Sequence, residues 1–144
     1  MDITDEIISN GNENSLYGTL GIHVEEAGEG EATAVLEPPA SVCWPFPERP
    51  HGGILFTLMD TTMAWAVFSL LDPGHNCATI NMDIQYILPA KGEKFFCTAK
   101  TTHQTGHLSF VRAEIKDGDG QILTIGQAVF RIIEMDLDGF RTSS

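Results

Sequence analysis

Residues 54–71 constrain this chain more than any other segment: eighteen residues without Gly or Pro, rich in Leu, Met, Ala and Phe. A run of that kind forms a helix of about 27 Å. Its apolar residues occupy nearly every face, so other parts of the chain must wrap around it. Asp60, Thr57, Thr61, Thr62 and Ser69 interrupt the run, which is shorter than a typical membrane span and lacks positive flanks. The reading is a buried helix, not a membrane one.

The wrapping is supplied by strands. Leu20, Ile22 and Val24 alternate with Gly21, His23 and Glu25, and a hairpin partner with Ala32, Ala34 and Leu36 follows the turn residues Gly28 and Gly30. From Ala78 to Leu88, the apolar Ala78, Ile80, Met82, Ile84, Tyr86 and Leu88 keep strict period two. Segments 94–102, 107–117 and 121–133 add three more strands, the last two joined through Asp117-Gly118-Asp119-Gly120. The expected fold class is α+β, an antiparallel sheet folded around one long helix. Residues 1–15 are polar and hold at most a short helix near residues 5–9, so residues 16–144 form the single domain.

Charge and cysteines narrow the function classes. Eight basic residues against twenty acidic ones leave a net charge of −12, which repels a phosphate backbone and argues against nucleic acid as a partner. Lys91, Lys94, Lys100, Arg112 and Lys116 nevertheless gather in one stretch that could hold a local anion. Cys43, Cys77 and Cys97 form no CxxC, and no apolar signal segment precedes them. A reduced, cytoplasmic protein is expected. His23, His75, His103 and His107 show no metal-ligand spacing, so neither metal nor cofactor is expected.

Two features point to chemistry. At the helix entry Pro50-His51-Gly52-Gly53, no Ser, Thr, Asp or Asn stands where an N-cap belongs. The first N–H groups are therefore expected to be open to a ligand, and the helix dipole favours an oxygen gaining negative charge. Close helix-to-sheet packing is the competing explanation for the glycines. Asp60 is the second feature: a carboxylate among Leu58, Met59, Met63 and Trp65 is costly to bury unless paired or used. It is expected to be buried, either as a general base or satisfied by hydroxyls such as Thr61 and Thr62.

His51-Gly52-Gly53, Asp60 nine residues after His51, and the strand carrying Met82, Ile84, Tyr86 and Pro89-Ala90 resemble the hotdog-fold acyl-CoA thioesterases of the phenylacetic-acid-degradation type. The resemblance spans residues 16–133. It implies a hotdog fold and hydrolysis of a small or medium acyl- or aryl-acyl-CoA thioester, with the Gly52 N–H polarising the carbonyl and Asp60 as base or nucleophile. Thr79 stands where relatives place a serine that helps hold the water, although strand parity turns it away from the apolar face. Pro45 replaces an asparagine found in some relatives six residues before the histidine.

His51 is expected to orient the helix start, Gly53 to allow close approach of the substrate, and Trp44, Phe46 and Met63 to line the acyl pocket. Lys91, Lys94 and Arg112 are the cations nearest to hand for the coenzyme A phosphates. A hydratase would need His or Glu where Trp65 stands, so that chemistry is set aside. A non-catalytic acyl-CoA-binding domain is the alternative, against which the retained Asp60 argues. Gly52 and Asp60, eight residues apart on one helix, are about 12 Å apart along its axis, so one carbonyl cannot touch both. A homodimer sharing its sites is therefore expected, and the resemblance allows pairs of dimers.

Overall fold

The computed structural model describes residues 2–135. Helices α1 (Asp5–Asn12) and α2 (Ser15–Leu20) lead into β1 (Ile22–Gly28) and β2 (Glu31–Leu36). A one-turn helix α3 (Ala40–Cys43) and a proline-rich loop then deliver the chain to α4 (Gly52–Phe68). Strands β3 (His75–Tyr86), β4 (Phe95–Gln104), β5 (Leu108–Lys116) and β6 (Ile122–Glu134) complete one antiparallel sheet in the order β1-β2-β4-β5-β6-β3.

Helix α4 lies across the inner face of this sheet. Leu55, Leu58, Met59, Met63, Ala66 and Val67 are buried against Ala32, Ala34 and Leu36 of β2, Phe95, Cys97 and Ala99 of β4, and Val111, Ala113 and Ile115 of β5. Full removal of a side chain of Leu or Met size from water contributes about 1.5–3 kcal/mol, which is why the apolar run seats here. The covering is incomplete: Gly52, Gly53, Phe56, Thr57, Asp60, Ala64 and Phe68 keep some exposure. Residues four apart share one helix face, so Gly52, Phe56, Asp60, Ala64 and Phe68 form one stripe that a single chain leaves open.

Both short N-terminal helices have local causes. Thr4 caps α1 by accepting from Ile7 N–H, and Asn14 caps α2 by accepting from Leu16 N–H. Helix α1 runs past Gly11, the position expected to stop it, because Ile3, Ile7 and Ile8 pack on the core. Leu20, expected to open the first strand, instead closes α2. Gly21 then turns the chain at φ 80°, a left-handed conformation, with the Glu37 carbonyl where a Cβ would stand.

The two edges of the sheet differ. At β1, the Asn12 side-chain amide donates to Val24 O and accepts from Val24 N–H, both at 2.8 Å, and a bulge follows between Val24 and Glu26. That edge is occupied from within the chain. At β3, the outer edge runs for twelve residues and carries Ile80, 57% exposed, with exposed Ile87 and Leu88 just beyond it.

The period-two reading of β3 needs one correction. Thr79 pairs with Phe130 and Asn81 with Val129, so Ile80 is an extra residue in a β-bulge. Upstream of the bulge it is Cys77 and Thr79 that face α4, while Met82 and Ile84 do so downstream. Ile80 is thrown out to solvent.

Candidate active site

The helix entry corrects one expectation about its cap. His51 is the N-cap, and its Nδ1 accepts from the Gly53 N–H at 2.8 Å. The imidazole takes the place of the missing Ser, Thr, Asp or Asn, so the Gly53 N–H is committed. The Gly52 N–H donates to no acceptor among the described residues, while the Gly52 carbonyl accepts from the Tyr86 hydroxyl at 2.7 Å. The Tyr86 ring lies 3.3 Å from where a Cβ of residue 52 would stand, so a side chain there would need this half-exposed ring to shift by a few tenths of an ångström. His51 itself is held by its N–H, which donates to the Cys43 carbonyl at 2.8 Å.

Asp60 corrects a second expectation. It is half-buried, not sealed in the core, because it sits on the open stripe of α4. Its carboxylate is not satisfied by Thr61 or Thr62; the Thr62 hydroxyl donates to the Leu58 carbonyl instead. The partner is Thr79, whose hydroxyl donates to Asp60 Oδ1 at 2.6 Å. The bulge at Ile80 makes this contact possible by reversing the inward parity of β3. Close by, the Cys77 thiol donates to the Ala64 carbonyl at 3.7 Å. Burial, together with the Asp60 charge, pushes that thiol up to about 12, so it remains protonated and is no nucleophile at neutral pH.

The other expected residues are dispersed. Trp44 is half-buried in the entry loop, and Phe46 is 68% exposed at its tip. Met63 lies fully inside the core on the sheet side of α4, so within one chain it borders no open space. Lys91 is exposed, and its neighbour Gly92 donates to the Glu48 carbonyl at 3.0 Å, tying this turn to the loop that enters α4. Lys94 is engaged by Glu37 at 3.8 Å and lies over the Phe96 ring. Arg112 projects from the outer face of β5, away from α4, into a groove of about 710 Å³ that also includes Lys100, Asp83 and Glu114.

Tyr86 was visible in the sequence only as an alternating apolar residue, because its link to Gly52 spans 34 positions. The chemistry available is a half-exposed carboxylate steadied by a hydroxyl, and an unpaired N–H at the positive end of a helix. The Thioesterase superfamily model matches residues 50–124, opening on Pro50-His51-Gly52-Gly53 and ending within β6. This chain belongs to the thioesterase superfamily. As a thioesterase it is a thioester hydrolase, and its helix-wrapping sheet is the hotdog fold.

A Halobacterium salinarum protein whose name proposes an esterase is 28% identical, with 86% of this chain and 88% of that protein covered. A conserved Pseudomonas aeruginosa protein of solved structure is 28% identical with a TM-score of 0.76, over 83% of this thioesterase and 94% of that chain. The Escherichia coli PaaI protein of the phenylacetic acid degradation operon shares the fold, with a TM-score of 0.77 at 23% identity over 87% and 88%. A Haemophilus influenzae thioesterase shares it with a TM-score of 0.85 at 18% identity over 94% of each chain.

Proposed function

We propose that this thioesterase hydrolyses small or medium acyl- or aryl-acyl-CoA thioesters to the free acid and coenzyme A. The observation that carries the reading is the Asp60–Thr79 pair on the open stripe of α4, with the Gly52 N–H unpaired on the same stripe. Asp60 takes a proton from water as the water oxygen attacks the thioester carbonyl carbon. The Gly52 N–H receives the developing oxyanion, aided by the helix dipole. The carbon–sulfur bond then breaks, coenzyme A leaves as thiolate, and the proton on Asp60 neutralises it. Thr79 holds Oδ1, leaving the other carboxylate oxygen for the water. Direct attack by Asp60 on the carbonyl is the second way in which the same pair could serve.

Gly52 and Asp60 lie about 12 Å apart along α4, so one carbonyl reaches both only if they come from different copies. A homodimer formed by pairing the β3 edges supplies such an arrangement. Asn12 and the bulge occupy the β1 edge, and the long β3 edge carries exposed Ile80 beside the site. Two-fold symmetry then gives two identical sites, and the outer sheet face with Arg112 is left for pairing of dimers. Lys91, tied to the entry loop, is the first candidate for the coenzyme A phosphates. Three free thiols fit a reducing, cytoplasmic setting.

The direct test is release of free thiol from a panel of acyl-CoA compounds. Turnover of at least one short, medium or aryl member supports the reading. Tight binding of the panel without thiol release would transfer the chain to the non-catalytic binding alternative.

A further inference from the structure

The first turn of α4 begins with two glycines, which lose more backbone freedom on ordering than any other residue, at a helix end whose N–H groups lack internal partners. A donor on such a turn stabilises an oxyanion only if it is held in place beforehand. Two peptide groups flank the Gly52 Cα, and both are held. The carbonyl of the first, on His51, accepts from the Ile54 N–H at 2.9 Å, and the His51 N–H is tied to the Cys43 carbonyl. The second is clasped at both ends: its N–H, on Gly53, donates to His51 Nδ1 at 2.8 Å, and its carbonyl, on Gly52, accepts from the Tyr86 hydroxyl at 2.7 Å. Of these bonds, only the last reaches the turn from the sheet. Tyr86 closes β3, where it pairs with Thr124 of β6, and the next two N–H groups, of Ile87 and Leu88, donate to the Leu123 carbonyl at 2.8 and 3.1 Å. The phenol is therefore carried on backbone that the sheet fixes.

We propose that Tyr86 is a positioning residue for hydrolysis: by holding the Gly52 carbonyl, its hydroxyl keeps the Gly52 N–H aimed at the thioester oxygen. The role rests on the reading that this N–H receives the oxyanion. Orientation is the effect, because the Gly52 carbonyl and the Gly52 N–H belong to different peptide groups. The Tyr86 bond polarises the Gly53 N–H, which His51 already engages, and restrains rotation about the backbone bonds of Gly52, where no Cβ does so. Strand β3 thus serves both halves of the chemistry, with Thr79 on Asp60 and Tyr86 on Gly52. Burial raises the Tyr86 hydroxyl above the ordinary phenol value, so it remains a donor at neutral and mildly alkaline pH. Packing of this half-exposed ring needs no hydroxyl, and Phe would fill the same space.

Tyr86→Phe retains the ring and deletes the bond. On the acyl-CoA panel it should lower kcat about 3-fold or more, by a similar factor for every member hydrolysed, with KM changed less than about 2-fold. In protein isotope-labelled on glycine, the Gly53 amide should exchange with solvent several-fold faster in Tyr86→Phe than in the wild type. Gly21 and Gly30, whose N–H groups are bonded to the Tyr17 carbonyl and the Ser69 hydroxyl, should keep their rates. A smaller fall in kcat overturns the role and leaves the thioesterase reading standing. So does a loss that appears in KM or varies with the acyl group, which would make Tyr86 a wall of the pocket, and so does a fall in kcat with Gly53 exchange unchanged. A folded wild type that releases thiol from no member of the panel removes both the role and the reading.

Discussion

Thr79 stands over Asp60 with its hydroxyl donating to Oδ1 at 2.6 Å, across a gap of nineteen positions in the chain. The bond fixes one carboxylate oxygen and leaves the other without a hydrogen-bond partner among the described residues, which separates the effects expected of the two side chains.

Asp60→Asn keeps the shape but removes the base, so turnover should fall about 100-fold or more with KM little changed. Thr79→Val removes only the orienting bond and should cost about 3- to 10-fold in kcat. Thr79→Ser should recover most of that loss. Thiol release at saturating substrate measures all three, and an Asp60→Asn enzyme working near the wild-type rate would falsify the central assignment.

Sharing of the site between copies predicts complementation. Gly52→Pro removes the N–H at the first helical position, where proline is tolerated. His51 at ψ 139° already has the backbone that precedes a proline, and half-exposed Tyr86 can give way to the ring. Each homodimer of Gly52→Pro or Asp60→Asn should be nearly inactive. In a mixed dimer one site collects both defects and the other neither, so co-refolding should restore part of the activity. Shared sites are excluded if mixed dimers form, as shown by mass, and remain as inactive as their parents.

The cations are expected to act unequally. Lys91→Gln should raise KM several-fold for a coenzyme A thioester and leave a short thioester without the nucleotide unaffected. Lys94→Gln should do less, since Glu37 already engages that ammonium. Arg112→Gln, on the far face of the sheet, should alter KM only where dimers associate further. Steady-state kinetics on the two substrates decides, and equal effects on both would assign these residues to folding.

Stability should fall in alkali because of two thiols. Burial first, and the Asp60 charge second, raise Cys77 from an ordinary value of 9.0 to about 12; burial does the same for Cys97. In this window the folded chain retains protons that the unfolded chain loses. The stabilisation is complete below about pH 9 and is lost as pH rises towards 12, at about 1.4 kcal/mol per pH unit for each thiol. Urea midpoints between pH 8 and 10.5 should show the decline, and a Cys77→Ala/Cys97→Ala variant should show a shallower one. Identical slopes would remove the thiols as its cause.

The sequence by itself determined the long apolar helix, the strands around it, and the residue types at its entry and at Asp60. Those are local properties: composition sets burial, and periods of 3.6 and two set the elements. Five things were decided only by the tertiary structure. The cap on α4 is an imidazole, which no capping pattern anticipates, because it depends on how the Cys43 carbonyl holds His51. The reach of Thr79 to Asp60 depends on a bulge that arises from pairing with β6, since a missing partner opposite Ile80 leaves no mark on the alternation of β3 itself. Tyr17 meets Trp65 across 48 positions, and Asn12 meets the β1 edge from a helix that the polar N-terminus barely announces. The open side of α4 was undetermined for the same reason: a helix apolar on nearly every face does not specify which face a sheet will cover. Strand order and register make that choice, and here they leave Gly52, Asp60 and Phe68 uncovered.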